Sequence, residues 1–308
     1  NYNLWIRDLT TKKTKQLTFN GYEDYGYATN NAGWIKNDRP VLKWSNDSKT
    51  ITTFRQDSRK VGEMYLTTTN VGHPNLQKWK YALPGDENIF EIERIFINVE
   101  SGKISKFKMG RDFQRSTTTD HIAGWDGTLL DANFSKDGKK LAFISSSRDQ
   151  KEADLKIADV KTGNVKSVYK EETKTYYESG VNGENWRVFF KTNEFLWYSE
   201  KDDWGHLYLH DLTTGKLKNQ ITSGEWLVRD VLHVDELKRE EEEKKRAKLM
   251  QEASMKNAQR AHTNLQNIQK EFNIIFVLNR KIAFDRFMLL LSPKVGRCTL
   301  AVRVIECA

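Results

Sequence analysis

Apolar and polar side chains alternate along residues 88–98, and residues 103–108 answer them, as two paired antiparallel strands would. Leu129-Leu130-Asp131-Ala132-Asn133-Phe134 leads into a turn, and Leu141-Ala142-Phe143-Ile144-Ser145 returns from it. An earlier pair runs from Val41, Leu42 and Trp44 through a turn at Asn46-Asp47-Ser48-Lys49 to Ile51 and Phe54. Another strand is predicted around Met64-Tyr65-Leu66, followed by a loop that holds His73-Pro74 and Leu83-Pro84-Gly85-Asp86. Residues 20–34, rich in Gly, Asn and Tyr, read as a loop. The last strands fall in 186–217, around Phe195-Leu196-Trp197-Tyr198-Ser199, and at Glu225-Trp226-Leu227-Val228.

Two cassettes recur within this pattern. The first is a strand, a tight turn and a strand: Leu207-Tyr208-Leu209-His210-Asp211-Leu212-Thr213-Thr214-Gly215-Lys216-Leu217. Its echoes lie at 4–13, 155–164 and, more weakly, 96–103. The second is Trp44-Ser45-Asn46-Asp47-Ser48-Lys49 and Phe134-Ser135-Lys136-Asp137-Gly138-Lys139. It follows the first by the same offset twice, from position 8 to 44 and from 98 to 134. Self-similarity at a fixed offset, with Asp-Gly and Thr-Gly supplying positive-φ turn residues, points to propeller blades. The predicted fold is therefore all-β: a partial β-propeller of about three full blades plus a partial one at each end, over residues 1–235.

Composition changes beyond residue 235. The run Arg239-Glu240-Glu241-Glu242-Glu243-Lys244-Lys245-Arg246 has no β-branched residue, glycine or aromatic. Ala258, Ala261, Leu265, Ile268, Phe272 and Ile275 then form an apolar stripe at helical spacing. These features predict a C-terminal α-helical tail, with one long helix over 236–276. Residues 277–308 read two ways, with 284–291 able to extend a helix and 300–305 resembling a strand.

The charge follows the same division. Residues 236–308 carry fifteen Lys/Arg and nine Asp/Glu, so +6 of the net +8 belongs to the tail and +2 to residues 1–235. A basic balance confined to the tail argues against nucleic acid as a partner of the main domain. Both cysteines, Cys298 and Cys307, also lie there, so the repeats hold no disulfide and no cysteine-based zinc site. The longest apolar runs, 274–278 and 287–291, fall well short of the ~20 residues that span a bilayer. Asn1-Tyr2-Asn3 is expected to lead directly into a strand, and these opening residues do not read as a signal peptide.

One stretch carries a family resemblance. Leu196-Trp197-Tyr198-Ser199-Glu200-Lys201-Asp202-Asp203-Trp204-Gly205-His206-Leu207-Tyr208-Leu209, followed by Thr222-Ser223-Gly224-Glu225-Trp226, resembles the N-terminal propeller of the dipeptidyl peptidase IV family. These are serine exopeptidases of the prolyl oligopeptidase clan. The resemblance covers about residues 1–235. It implies a propeller that filters peptide substrates for an α/β-hydrolase domain carrying a Ser-Asp-His triad, and an extracytoplasmic location. It also implies a loop whose carboxylate pair holds the free amine of the peptide. The matching segment is Gly33-Trp34-Ile35-Lys36-Asn37-Asp38-Arg39, where Trp34 fits and Asp38 and Arg39 replace the family's acidic pair. An Asp with an adjacent Arg competing for it is a weaker ammonium clamp. By the same resemblance Trp186 and Arg187 lie where pocket-lining side chains are presented, and the guanidinium could bind a peptide carbonyl or carboxylate. A packing role for Trp186 between blades is the alternative.

Other constellations point to structure. His206 and His210 would lie about 13 Å apart along a strand at ~3.3 Å per residue, too far to share a metal ion. Asp202-Asp203 and Glu171-Glu172 are adjacent acidic pairs, whose side chains point to opposite faces of a strand. Asp120-His121 and Asp126 have no nucleophilic serine beside them, and no Gly-x-Ser-x-Gly elbow occurs in the 308 residues. The expectation is thus a non-catalytic propeller portion with no catalytic residue, metal or cofactor of its own. The rival reading is a stand-alone propeller that binds peptide or protein and self-associates, as a homodimer, through its helical tail.

Overall fold

The computed structural model describes residues 2–29, 39–69, 71–113, 127–177 and 185–235, and the backbone strand at 301–306. Their regular structure is entirely β. In chain order the strands are β1 (Trp5–Arg7), β2 (Thr14–Gln16), β3 (Lys43–Trp44), β4 (Thr50–Asp57), β5 (Glu63–Thr67), β6 (Leu76–Lys80), β7 (Glu91–Asn98), β8 (Ile104–Lys106) and β9 (Asp112–Phe113). They continue as β10 (Ala132–Phe134), β11 (Lys140–Ser146), β12 (Glu152–Asp159), β13 (Val165–Glu172), β14 (Arg187–Phe189), β15 (Glu194–Ser199), β16 (His206–Asp211), β17 (Leu217–Gln220), β18 (Trp226–His233) and β19 (Ala301–Glu306).

Three sheets follow a four-strand path: β3-β4-β7-β8 with β9 added beside β7, β10-β11-β12-β13, and β14-β15-β16-β17. The pairs β1-β2 and β18-β19 form two-stranded sheets. These are the three full units and the partial unit at each end that the repeats predict. The strand expected over 300–305 is β19, antiparallel to β18. The helix expected over 236–276, like both cysteines, lies outside the described residues. By contacts the chain divides into two compact units. One comprises Asn1–Ser179, Trp186–Phe195 and His210–Lys218, the other Gly180–Asn185, Leu196–Leu209 and Asn219–Ala308.

In the first unit β4 shows why the alternation is incomplete in sequence. Seven of its eight residues are buried, threonines included, because both faces of its sheet are covered. Ile51, Ile95 and Ile97 pack with Leu4, Leu17 and Tyr27 on one side. Phe54, Ile92 and Phe96 pack with Phe134, Leu141 and Phe143 on the other. Phe107 bridges Phe96 and Phe143, with ring centroids 4.4 and 5.2 Å away.

The first cassette is a turn built on one carboxylate or amide. Oδ1 of Asp8, Asn98, Asp159 and Asp211 accepts the backbone N–H three residues on, at 2.6–2.8 Å. The fourth residue on is left-handed every time: Lys12 at φ 60°, and Gly102, Gly163 and Gly215 each at 71°. A Cβ on Gly163 would lie 2.3 Å from the Lys106 carbonyl oxygen, so this turn also needs glycine for its approach to the preceding sheet. The second cassette is a serine–aspartate clasp. Ser45 and Ser135 donate to Asp47 and Asp137, and each serine oxygen accepts the N–H five residues on. A third copy, Ser147 with Asp149 and Glu152, was not picked out from the sequence.

One strand corrects the sequence reading. β6 lies in the stretch expected to be loop and pairs with β5 as a hairpin between β4 and β7. Leu-Gln-Lys-Trp-Lys gives no clean alternation, and its first three residues are exposed, so no buried face imposes a period on them.

Candidate substrate-facing residues

Of the residues that the resemblance singles out, Trp34 and Asp38 lie outside the described residues. Arg39 is exposed and leads into a tightly held segment. The Val41 N–H donates to the Ala28 carbonyl, the Leu42 N–H to Gly127, and the Leu129 N–H to Leu42. Gly127 sits at φ +87°, and a Cβ there would lie 2.8 Å from the Pro40 oxygen. The chain leaving the candidate amine clamp is therefore anchored on both sides.

Trp186 and Arg187 stand together at the start of β14. Trp186 is buried, whereas Arg187 is partly exposed, and its Nη1 donates to the Trp186 carbonyl at 2.9 Å. The guanidinium thus leans on its own backbone while part of it reaches solvent.

Neither histidine of β16 is a metal ligand in this arrangement. His206 Nε2 lies 2.9 Å from the Gly224 carbonyl oxygen, which can only accept, so Nε2 carries the proton. In the neutral ring Nδ1 then accepts from the Thr222 hydroxyl at 3.2 Å, and Thr222 Oγ1 accepts the Leu207 N–H. Trp226 meets the ring edge-on. His210 Nδ1 donates to the Gly215 carbonyl, and its ring stacks on Phe195. Among the described residues no group of three His, Cys, Asp or Glu side chains could hold a metal ion.

The two signatures behind the resemblance are therefore architectural. Gly224 is at φ +128°, and a Cβ there would meet Trp226 Nε1 at 2.5 Å. A Cβ on Gly205 would fall 1.8 Å from the Tyr198 hydroxyl. Asp202 accepts the Tyr208 hydroxyl at 2.6 Å and the Gln220 amide at 2.9 Å, bonds that hold its carboxyl below the usual range. Ser223 stands in this clasp, not on a strand-to-helix elbow.

A buried charge cluster escaped the sequence reading. Arg94, on β7, pairs through Nε with Asp112 at 2.9 Å and through Nη2 with Asp131 at 2.6 Å. It also donates to the Ile144 carbonyl, while Ser145 donates to Asp112. Burial draws the Arg94 pKa down, but Asp131 and then Asp112 more than offset it, and the net direction is upward. All five residues are engaged with one another inside the core of the first unit, so the cluster joins β7 and β9 to the sheet of β11.

Repeated four-strand antiparallel sheets are the units of the propeller class. The family model described as the dipeptidyl peptidase IV (DPP IV) N-terminal region matches residues 1–240, and the chain belongs to that family. Solved structures agree on the fold. Dipeptidyl peptidase 4 from Porphyromonas gingivalis is similar with a TM-score of 0.59 at 20% identity, over 76% of this chain and 32% of that one. A putative dipeptidyl aminopeptidase IV from Bacteroides ovatus is similar with a TM-score of 0.56 at 19% identity, over 77% of this chain and 36% of that one. The chain thus spans about a third of the length of these two proteins. Among the described residues no helix is long and apolar enough to cross a membrane.

Proposed function

We propose that residues 1–235 are the non-catalytic propeller portion of a dipeptidyl-peptidase-IV-like serine exopeptidase, which gates peptide substrates and docks a hydrolase domain. The observation that carries this reading is the family match over 1–240, realised as serial four-strand sheets. No Gly-x-Ser-x-Gly occurs in these 308 residues, which supports a role without a nucleophile of its own. In this reading Asp38 holds the free amine of a peptide beside Trp34, with Arg39 competing for the carboxylate. Arg187 binds a peptide carbonyl or carboxylate, and buried Trp186 supports it. Residues 236–308 are a basic tail, of which β19 pairs with β18. An extracytoplasmic location accords with the same family.

Purified protein incubated with an X-Pro anilide is expected to release no product. Hydrolysis that a serine-directed inhibitor blocks would overturn the non-catalytic assignment. Calorimetry with a short X-Pro peptide tests the clamp: acetylating the peptide amine, or substituting Asp38→Asn, is expected to weaken binding several-fold. Equal affinity for free and acetylated peptide would remove Asp38 from the role.

A further inference from the structure

β3, β10 and β14 open the three full units, and each pairs within its sheet with the strand that follows it. β18 comes after the third full unit, and its one sheet neighbour among the described residues is β19. Residues 234–300 separate these two strands, whereas residues 135–139 are enough between β10 and β11. No tight turn imposes the pairing, so the edge of β18 and the sequence of β19 select each other. Residues 301–306 also lie beyond the residues 1–240 that the family model matches. We propose that this edge of β18 is a strand-acceptor site and that residues 301–306 are its built-in occupant, standing in place of the second strand of a further propeller unit. The inference rests on the propeller fold and not on substrate gating.

β18 is prepared for a partner by contacts that do not involve β19. The Val228 N–H donates to the Gly205 carbonyl at 2.7 Å, and Asn185 Nδ2 donates to the Arg229 carbonyl at 3.2 Å. Trp226 meets the His206 ring edge-on. These contacts hold β18 extended and also fix its hydrogen-bond parity. Because the Val228 N–H is engaged by Gly205, Val228 and Val304 form a non-hydrogen-bonded pair. Leu227, one residue earlier, therefore turns its N–H and carbonyl toward Ile305. A strand held on one side and open on the other is a template for an added extended segment.

The occupant suits the edge. Val228 and Val231, both buried, register opposite Val304 and Val302. Asp230 registers opposite Arg303, which places unlike charges at one cross-strand position. Three of the four residues in Val302-Arg303-Val304-Ile305 are β-branched, the type that strands favour. Register shifts between Val228 and Asp230 and between Val231 and His233 let the six residues of β19 run along the eight of β18.

Amide hydrogen exchange of the full chain reads the two sides of β18 separately. The Leu227 amide is expected to be protected. Ile305→Pro, which disrupts the ladder at that pair, is expected to speed its exchange at least about tenfold. The Val228 amide, bound to Gly205, should change far less. A Leu227 amide that is unprotected in the parent chain or indifferent to Ile305→Pro overturns the proposal, and so does an equal loss at Val228, since the site would then not be preformed. Crosslinking keeps the test independent of how that variant folds. Leu227→Cys with Ile305→Cys, on a Cys298→Ser, Cys307→Ser background, places paired Cα atoms about 5.5 Å apart, within disulfide range. Val302 is three residues further along β19, about 10 Å at ~3.3 Å per residue. Mild oxidation should therefore give an internal crosslink from the 227–305 pair and far less from Leu227→Cys with Val302→Cys. Equal yields, or a covalent dimer in place of the internal crosslink, overturn the assignment of residues 301–306 to this edge.

Discussion

Two charge clusters that both draw on β7 use the same chemistry in different surroundings. Inside, Arg94 joins Asp112 and Asp131 at 2.9 and 2.6 Å, with all three side chains no more than 7% exposed. At the rim, Asp57 receives Arg59 and Arg111 at 2.7 Å each, and Arg111 also reaches Glu91 at 3.0 Å. Both guanidinium partners of Asp57 are at least 40% exposed. The distances barely differ, so geometry does not rank the clusters. Water does: it screens the rim pairs and leaves the inner ones dependent on each other. The inner cluster holds neighbouring sheets together, whereas the rim cluster decorates the strand ends.

Arg94→Ala gives the largest expected effect. It leaves two carboxylates in the core without their cation, which costs about 3–5 kcal/mol. Urea unfolding at neutral pH measures it. Replacing Arg94, Asp112 and Asp131 together with apolar residues of similar volume should recover most of that loss, since the desolvation cost disappears with the charges. A loss below about 1 kcal/mol for Arg94→Ala would erase the distinction between the clusters.

Acid separates them next. Arg59, followed by Arg111, holds the Asp57 carboxyl down to about 2. An unfolded Asp titrates near 3.9, so the folded value is depressed. Its stabilisation is therefore complete above about pH 4 and drains away as pH falls through about 2. Asp57→Asn should flatten the pH dependence of unfolding free energy between about pH 4 and 2, relative to the parent protein. Some slope should remain, because Asp8, Asp47, Asp137 and Asp159 are also held low by their turn hydrogen bonds. An unchanged slope would show that Asp57 does not act as a rim anchor.

Legibility in sequence follows the same division between local and distant causes. The outer turns are local: Asp211 and Gly215 declare themselves within five residues, and so the repeat was readable. The clasp around His206 was readable as a signature, although its purpose was not, because Gly205 is required by Tyr198 and Gly224 by Trp226. Arg94 was not readable. Its carboxylates lie 18 and 37 residues away, and a cation in an alternating strand looks like a solvent-facing position. The candidate amine clamp is in a third category. Nothing about Trp34, Asp38 and Arg39 marks them locally, and their assignment rests on the family pattern alone. β6 shows the converse failure, since a strand whose first three residues are exposed carries little periodic demand.

The smallest expected effect tests the rim directly. Arg111 bridges Asp57 and Glu91, yet it is 40% exposed, and such pairs contribute about 0.2–1 kcal/mol. Arg111→Ala should fall in that range, and a double-mutant cycle with Glu91→Ala should return a coupling within it. Raising the salt concentration to about 1 M shortens the screening length to about 3 Å and should shrink the coupling further. Neither change should move the Arg94 coupling to Asp131, which water and ions do not reach. A salt-resistant coupling of several kcal/mol at Arg111 would mean that the rim is sealed from solvent in the folded protein. The contrast between the two clusters would then have to rest on which strands they join, not on exposure.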